Sequence, residues 1–141
     1  MTPEQVAMVQ LSFAQMGPRT TDLAARFYGR LFEVAPSFRS MFSGDPAVQE
    51  ALFLSELAVL VDSISQFDAF IARTRRLGAS HAAYGVTYTH YETVGLVLLE
   101  ALADTLGREF SDELRSAWRL AYDLMAETMM HGAADATPTR R

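Results

Sequence analysis

Between Gln49 and Ile64 the residues Gln49, Phe53, Leu57, Leu60 and Ile64 are separated by four, four, three and four positions. Only a helix with 3.6 residues per turn carries such a series along one side. The same period recurs in every long segment of the chain, and no alternating apolar–polar run marks a strand. The expectation is an all-α domain.

Punctuation divides the chain into six helical segments. Thr2-Pro3-Glu4-Gln5 combines an N-cap, a proline at the first helical position and a capping-box glutamine. Val6, Val9, Phe13 and Met16 follow on one face, and Gly17-Pro18 ends the segment. A second helix from about Thr20 turns Ala24, Phe27, Tyr28 and Leu31 inward and stops near Ala35-Pro36. Residues 36–44 read as an irregular stretch, after which Asp45-Pro46 repeats the cap-plus-proline start. The fourth segment places Phe67, Phe70, Ile71, Thr74, Leu77 and His81 on one face and breaks at Gly85. A long helix from Thr89 to Gly107 buries Tyr91, Val94, Gly95, Leu98, Leu102 and Leu106. The last begins near Ser111 and presents Leu114, Trp118, Ala121, Met125 and Met129. A domain over residues 1–132 is expected, with 133–141 as a frayed tail.

With 141 residues, half of them hydrophobic, the chain can bury a packed core as one domain. No apolar run is long enough to span a membrane and no signal peptide is visible, so a cytoplasmic protein is expected. The absence of cysteine excludes disulfides, thiolate nucleophiles and Cys-ligated metal sites. All twelve basic residues are arginine, so Schiff-base chemistry on lysine is excluded as well. A net charge of −5 without a basic stripe argues against nucleic-acid binding.

Three polar residues fall on otherwise apolar faces: Tyr28, Gln49 and His81. A buried neutral imidazole must pair its ring nitrogens, and a metal is one such partner. His90, next to a helix cap, reads as a surface residue, and Met125, Met129 and Met130 read as core.

The order of these features resembles the globin family, specifically bacterial single-domain haemoglobins and the haem domain of flavohaemoglobins. Three stretches carry the resemblance: Arg26-Phe27-Tyr28-Gly29-Arg30-Leu31-Phe32 with Pro36 and Phe42; His81-Ala82-Ala83-Tyr84-Gly85-Val86 running into His90-Tyr91-Glu92-Thr93-Val94-Gly95; and Ala117-Trp118-Arg119-Leu120-Ala121-Tyr122. It covers about residues 2–130. The resemblance implies a globin fold around noncovalent haem b, with His81 as the proximal iron ligand. It makes Phe42 the phenylalanine flat against the porphyrin and Tyr28 the distal hydrogen-bond donor. Gln49 would be the second distal donor, Phe53 an apolar wall, and Tyr91 the tyrosine that helps orient the proximal histidine. Val86 and Val94 would be further haem contacts. Aligning the loop at Ser43-Gly44-Asp45 differently puts Val48 with Leu52 in the distal positions, but the four-residue stripe favours Gln49 with Phe53. The carboxylate that buttresses the proximal histidine in flavohaemoglobins falls by spacing on Ala133, so strong peroxidase-like push is not expected.

A tyrosine and a glutamine facing one open iron position imply tight oxygen retention, each bond contributing about 1–3 kcal/mol. Oxygen, carbon monoxide and nitric oxide are the implied ligands. Oxygen scavenging, or nitric-oxide dioxygenation with a separate reductase, is the implied role; no glycine-rich dinucleotide fingerprint appears in the chain. The other reading is a globin-fold gas sensor or haemless signalling module. A monomer and a homodimer are both compatible with the sequence.

Overall fold

The computed structural model describes residues 1–42, 44–83 and 85–136. Among them the chain forms six α-helices: α1 (Pro3–Met16), α2 (Thr20–Val34), α3 (Pro46–Ser63), α4 (Phe67–Ala83), α5 (Tyr88–Leu106) and α6 (Asp112–Ala136). No strand occurs among the described residues, and no helix is long and apolar enough to cross a membrane.

The helix starts follow local chemistry. Thr2 and Gln5 form a reciprocal capping box, the Thr2 hydroxyl accepting the Gln5 N–H at 3.1 Å and the Gln5 side chain accepting the Thr2 N–H at 2.9 Å. Asp45 caps α3 by accepting the Ala47 N–H at 2.9 Å. At the other end of α5, Gly107 takes φ +58°, a left-handed turn that costs glycine little.

Trp118, fully buried on α6, ties the first helix to the last. Its indole N–H donates to the Ser12 hydroxyl at 2.9 Å, and that hydroxyl donates to the Val9 carbonyl at 2.9 Å. Both buried polar groups are therefore satisfied. Leu23, Phe27 and Leu31 of α2 pack with Val97, Leu98 and Leu102 of α5 in the same core, beside Leu57, Leu60 and Val61 of α3.

α4 lies against α6 through glycine. A methyl group at Gly78 would overlap the Met129 backbone, and one at Gly132 would overlap that of Arg75. Two main chains thus touch directly, one turn before His81.

The structure differs from the expectations at four places. Residues 36–41 form a 3₁₀ helix rather than an irregular stretch, because Phe38 is drawn into the core. Phe67 is 65% exposed, since it is the first residue of α4 and precedes the part of the helix that meets the core. α6 continues through Ala136, so residues 133–136 are helical rather than frayed; the close seat of Gly132 on α4 holds that end. The remaining tail, 137–141, lies outside the described residues. His90 is half-buried and used: its Nδ1 accepts the Thr87 N–H at 2.8 Å, capping α5, and its ring meets Phe38 edge-on at 4.9 Å.

Candidate haem site

Tyr28 stands at the centre of an aromatic cluster. Phe42 and Phe53 meet its ring edge-on at 5.4 and 5.7 Å, and Phe27 does so at 5.1 Å. Phe53 in turn stacks on Phe27 at 4.4 Å with 12° between the planes, locking α3 against α2. Phe42 is placed by the extended turn that ends the 3₁₀ helix.

Among the described residues the Tyr28 hydroxyl has one acceptor, the Gln49 carbonyl, at a long 3.5 Å. That bond is weak by distance, so the donor remains available to a better acceptor. Burial, and then the Glu50 charge, pushes the phenol up to about 12, so it stays protonated. A cavity of about 140 Å³ opens beside it, lined by Tyr28, Phe32, Arg39, Phe42, Gly44, Pro46, Gln49 and Glu50.

On α3 the inward register is Gln49 and Phe53, both half-buried, while Val48 and Leu52 are 53% and 60% exposed. The spacing of four from Gln49 to Phe53 puts both on the side that faces α2.

His81 is half-buried near the end of α4. Its Nδ1 lies 2.8 Å from the Leu77 carbonyl oxygen. A carbonyl can only accept, so Nδ1 carries the proton, which leaves Nε2 as the ring atom with a lone pair to give in the neutral imidazole. This is the tautomer and orientation a metal ligand needs. Beside it, Tyr91, Ala126 and Met129 form a second buried cluster, with Leu77, Val86, Tyr122 and Met130 packed around. Val94 packs on the main core instead.

The buried Tyr91 hydroxyl has no hydrogen-bond partner among the described residues, and the Leu77 carbonyl is the acceptor that meets the His81 ring. An orphaned buried hydroxyl is costly, and here it lies in the Leu77–Val86 cluster. Tyr91 itself is held by Tyr122, whose hydroxyl donates to the Tyr91 carbonyl at 2.6 Å and whose ring lies on Gly95.

These residues fit a porphyrin-borne metal better than a bare ion. No group of three or more His, Asp or Glu among the described residues could hold a metal. One imidazole with an available Nε2 suffices only where another molecule supplies the remaining ligands. His81 would ligate the iron, with Phe42 and Val86 as apolar walls and the Tyr91 hydroxyl as an available polar group beside them.

Two residues of the Tyr28 cavity escaped the sequence reading, Arg39 and Glu50. Arg39 lies with its guanidinium 4.6 Å from the centre of the Phe32 ring. Of the arginines on α4, Arg73 is committed to Glu56 by two bonds of 2.9 and 3.1 Å. Arg76 is exposed and makes no ion pair among the described residues.

A family model for globins matches residues 25–129. An anaerobic nitrite reductase of Gossypium hirsutum is 30% identical over 137 residues, covering 86% of this chain and 84% of its own length. Among solved structures, an engineered carbene transferase, a provisionally assigned nitric oxide dioxygenase from Rhodothermus marinus, superposes with TM-score 0.85 at 30% identity. That match covers 96% of this chain and 94% of the other. A bacterial globin from Campylobacter jejuni superposes with TM-score 0.84 at 21% identity, covering 95% and 97%, and shows the shared fold.

Proposed function

The chain belongs to the globin family, whose members bind haem and small gas ligands, and on that premise we propose that it retains oxygen tightly through Tyr28 and Gln49. Its role in this reading is oxygen scavenging, or nitric-oxide dioxygenation with a separate reductase. Haem held by His81 would supply an iron with one open coordination position for gas ligands. Leu77 fixes the His81 ring and its tautomer. Phe27, Phe42 and Phe53 exclude water around Tyr28 and lower the local dielectric, which strengthens any hydrogen bond made there.

The observation that carries the reading is the Tyr28 hydroxyl: half-buried, protonated, and held among the described residues only by a 3.5 Å contact. A partly negative ligand offers it a better acceptor than the Gln49 carbonyl. Such a bond contributes about 1.5–3 kcal/mol, which corresponds to roughly 10- to 150-fold slower release. Stopped-flow measurement of oxygen dissociation from Tyr28→Phe tests this. A rise in the off-rate within that range supports it, and an unchanged off-rate overturns it.

The name of the Rhodothermus marinus relative supports the dioxygenation branch. In that branch the chain relies on an external electron donor to reset the iron after each reaction. Nitric oxide should be consumed once per loaded haem, and continuously only when a reductase is added. Many turnovers with NADH and this protein alone would exclude a separate reductase.

A further inference from the structure

Two helices of the chain start with the same device built from different acceptors. At α1 the Gln5 side-chain oxygen accepts the Thr2 N–H at 2.9 Å. At α5 the corresponding pair is Thr87 with His90, and the His90 Nδ1 accepts the Thr87 N–H at 2.8 Å. A glutamine oxygen accepts at any pH. An imidazole nitrogen accepts only while it carries no proton.

The α5 box lies between the two segments that lead to candidate haem contacts. On one side is the corner after α4. There the Val86 N–H donates to the His81 carbonyl at 3.3 Å, and Val86 packs in the cluster that holds Leu77 and Tyr91. On the other side the His90 ring meets Phe38 edge-on at 4.9 Å. Phe38 is the buried anchor of the 3₁₀ helix, whose end places Phe42. We infer that His90 is a proton-sensitive positioning residue, which clamps the α4–α5 corner and helps retain haem while neutral, and releases that corner once protonated.

The sign follows from the geometry. A proton on Nδ1 would point at the Thr87 N–H, and two hydrogens do not fit between nitrogens 2.8 Å apart. The ring must turn, and the Thr87 hydroxyl, 3.2 Å from the same nitrogen, offers it an acceptor off that line. The new cation also stands in the first turn of α5, at the positive end of the helix dipole. No acidic residue in that turn offsets it, and His90 makes no ion pair among the described residues. Arg39, the one charged residue of the 3₁₀ helix, is itself a cation and lies over the Phe32 ring. The clamp is therefore intact above the imidazole range, which centres near about 6.5 in an ordinary setting, and is lost as pH falls through it. This goes beyond the proposed gas binding and rests on it only for His81 as the ligand.

The test compares the haem-loaded parent chain with His90→Gln and His90→Ala at about pH 7.5 and about pH 5.5, on either side of the imidazole range. One readout is the NMR shift of the Thr87 amide proton in the diamagnetic carbon-monoxide form. The other is the rate at which ferric haem passes to an excess of haem-free globin. In the parent the Thr87 shift should follow an imidazole titration. Acid should quicken haem transfer by about 3- to 10-fold more in the parent than in His90→Gln, whose acceptor does not titrate. His90→Ala lacks the acceptor and should already be faster than the parent at the higher pH. Equal acid acceleration in the parent and His90→Gln overturns the inference, and so does a Thr87 shift that ignores pH. Neither readout depends on bound oxygen, so this inference and the Tyr28 reading can fail separately.

Discussion

The Tyr122 hydroxyl donates to the Tyr91 carbonyl at 2.6 Å, although that carbonyl belongs to α5 and Tyr122 to α6. With its ring lying on Gly95, Tyr122 sets the height of α5 beside the His81 cluster. Tyr122→Phe keeps the ring and removes the bond. The expected cost is about 1 kcal/mol, or a melting temperature lower by roughly 3 °C, measured by calorimetry on the haem-loaded protein. An unchanged melting temperature would mean that the bond contributes nothing to holding α5.

His81 and His90 are separated by what their Nδ1 atoms do. In His81 that atom faces the Leu77 carbonyl; in His90 it accepts the Thr87 N–H. His81→Ala should abolish the iron–histidine stretching band of the ferrous protein. His90→Ala should keep the band and lose about 1 kcal/mol of stability through the cap. The opposite assignment of the band would place the ligand on the wrong helix.

Gln49 and Val48 differ by one position and by which side of α3 they occupy. Gln49→Leu should raise the oxygen off-rate about 5-fold and move the bound carbon-monoxide stretch, since one neutral hydrogen bond is lost. Val48→Leu, at a position 53% exposed, should leave both unchanged. Equal effects from the two variants would show that this register does not govern the ligand.

Stability should fall at alkaline pH. Burial, then Glu50, raises the Tyr28 phenol to about 12, and burial raises Tyr122 in the same direction. An unfolded tyrosine loses its proton near 10. Between about 10 and 12 the folded chain therefore holds more protons than the unfolded one, and stability declines as pH rises; below about 10 the contribution is intact. Urea unfolding from about pH 9 to about 11.5 should show a shallower decline for Tyr28→Phe than for the parent chain. Parallel curves would remove Tyr28 as a source.

Much of the fold was legible because it depends on spacing. The four-four-three-four series located α3 and its inward side, and proline and glycine marked most helix ends. Spacing misled at Phe67, which has helical phase but no partner surface that far along α4. Of the aromatic surroundings of Tyr28, Phe53 was readable from the same series and Phe27 from the face of the second helix, whereas Phe42 was placed only by the globin resemblance. Arg39 and Glu50 were not, because a charge in a connecting segment or at a helix start looks solvated unless its neighbours in space are known. The orphaned Tyr91 hydroxyl is equally invisible in one dimension, since it is defined by what fails to reach it.

The contact of Gly78 with the Met129 backbone makes the spacing of α4 and α6 independent of side-chain volume. Swapping Met125 or Met129 for another apolar residue cannot bring the two main chains closer, and any side chain at position 78 forces them apart. The His81 side of the molecule is thus a hard datum, while the Phe27–Phe53 side is made of rings that can be exchanged for smaller or larger ones. Sequence drift in such a chain has only one adjustable wall. Changes in ligand preference should therefore accumulate on α2 and α3, and an engineer reshaping the pocket for a bulkier reactant should begin at Phe53 and leave the glycines alone.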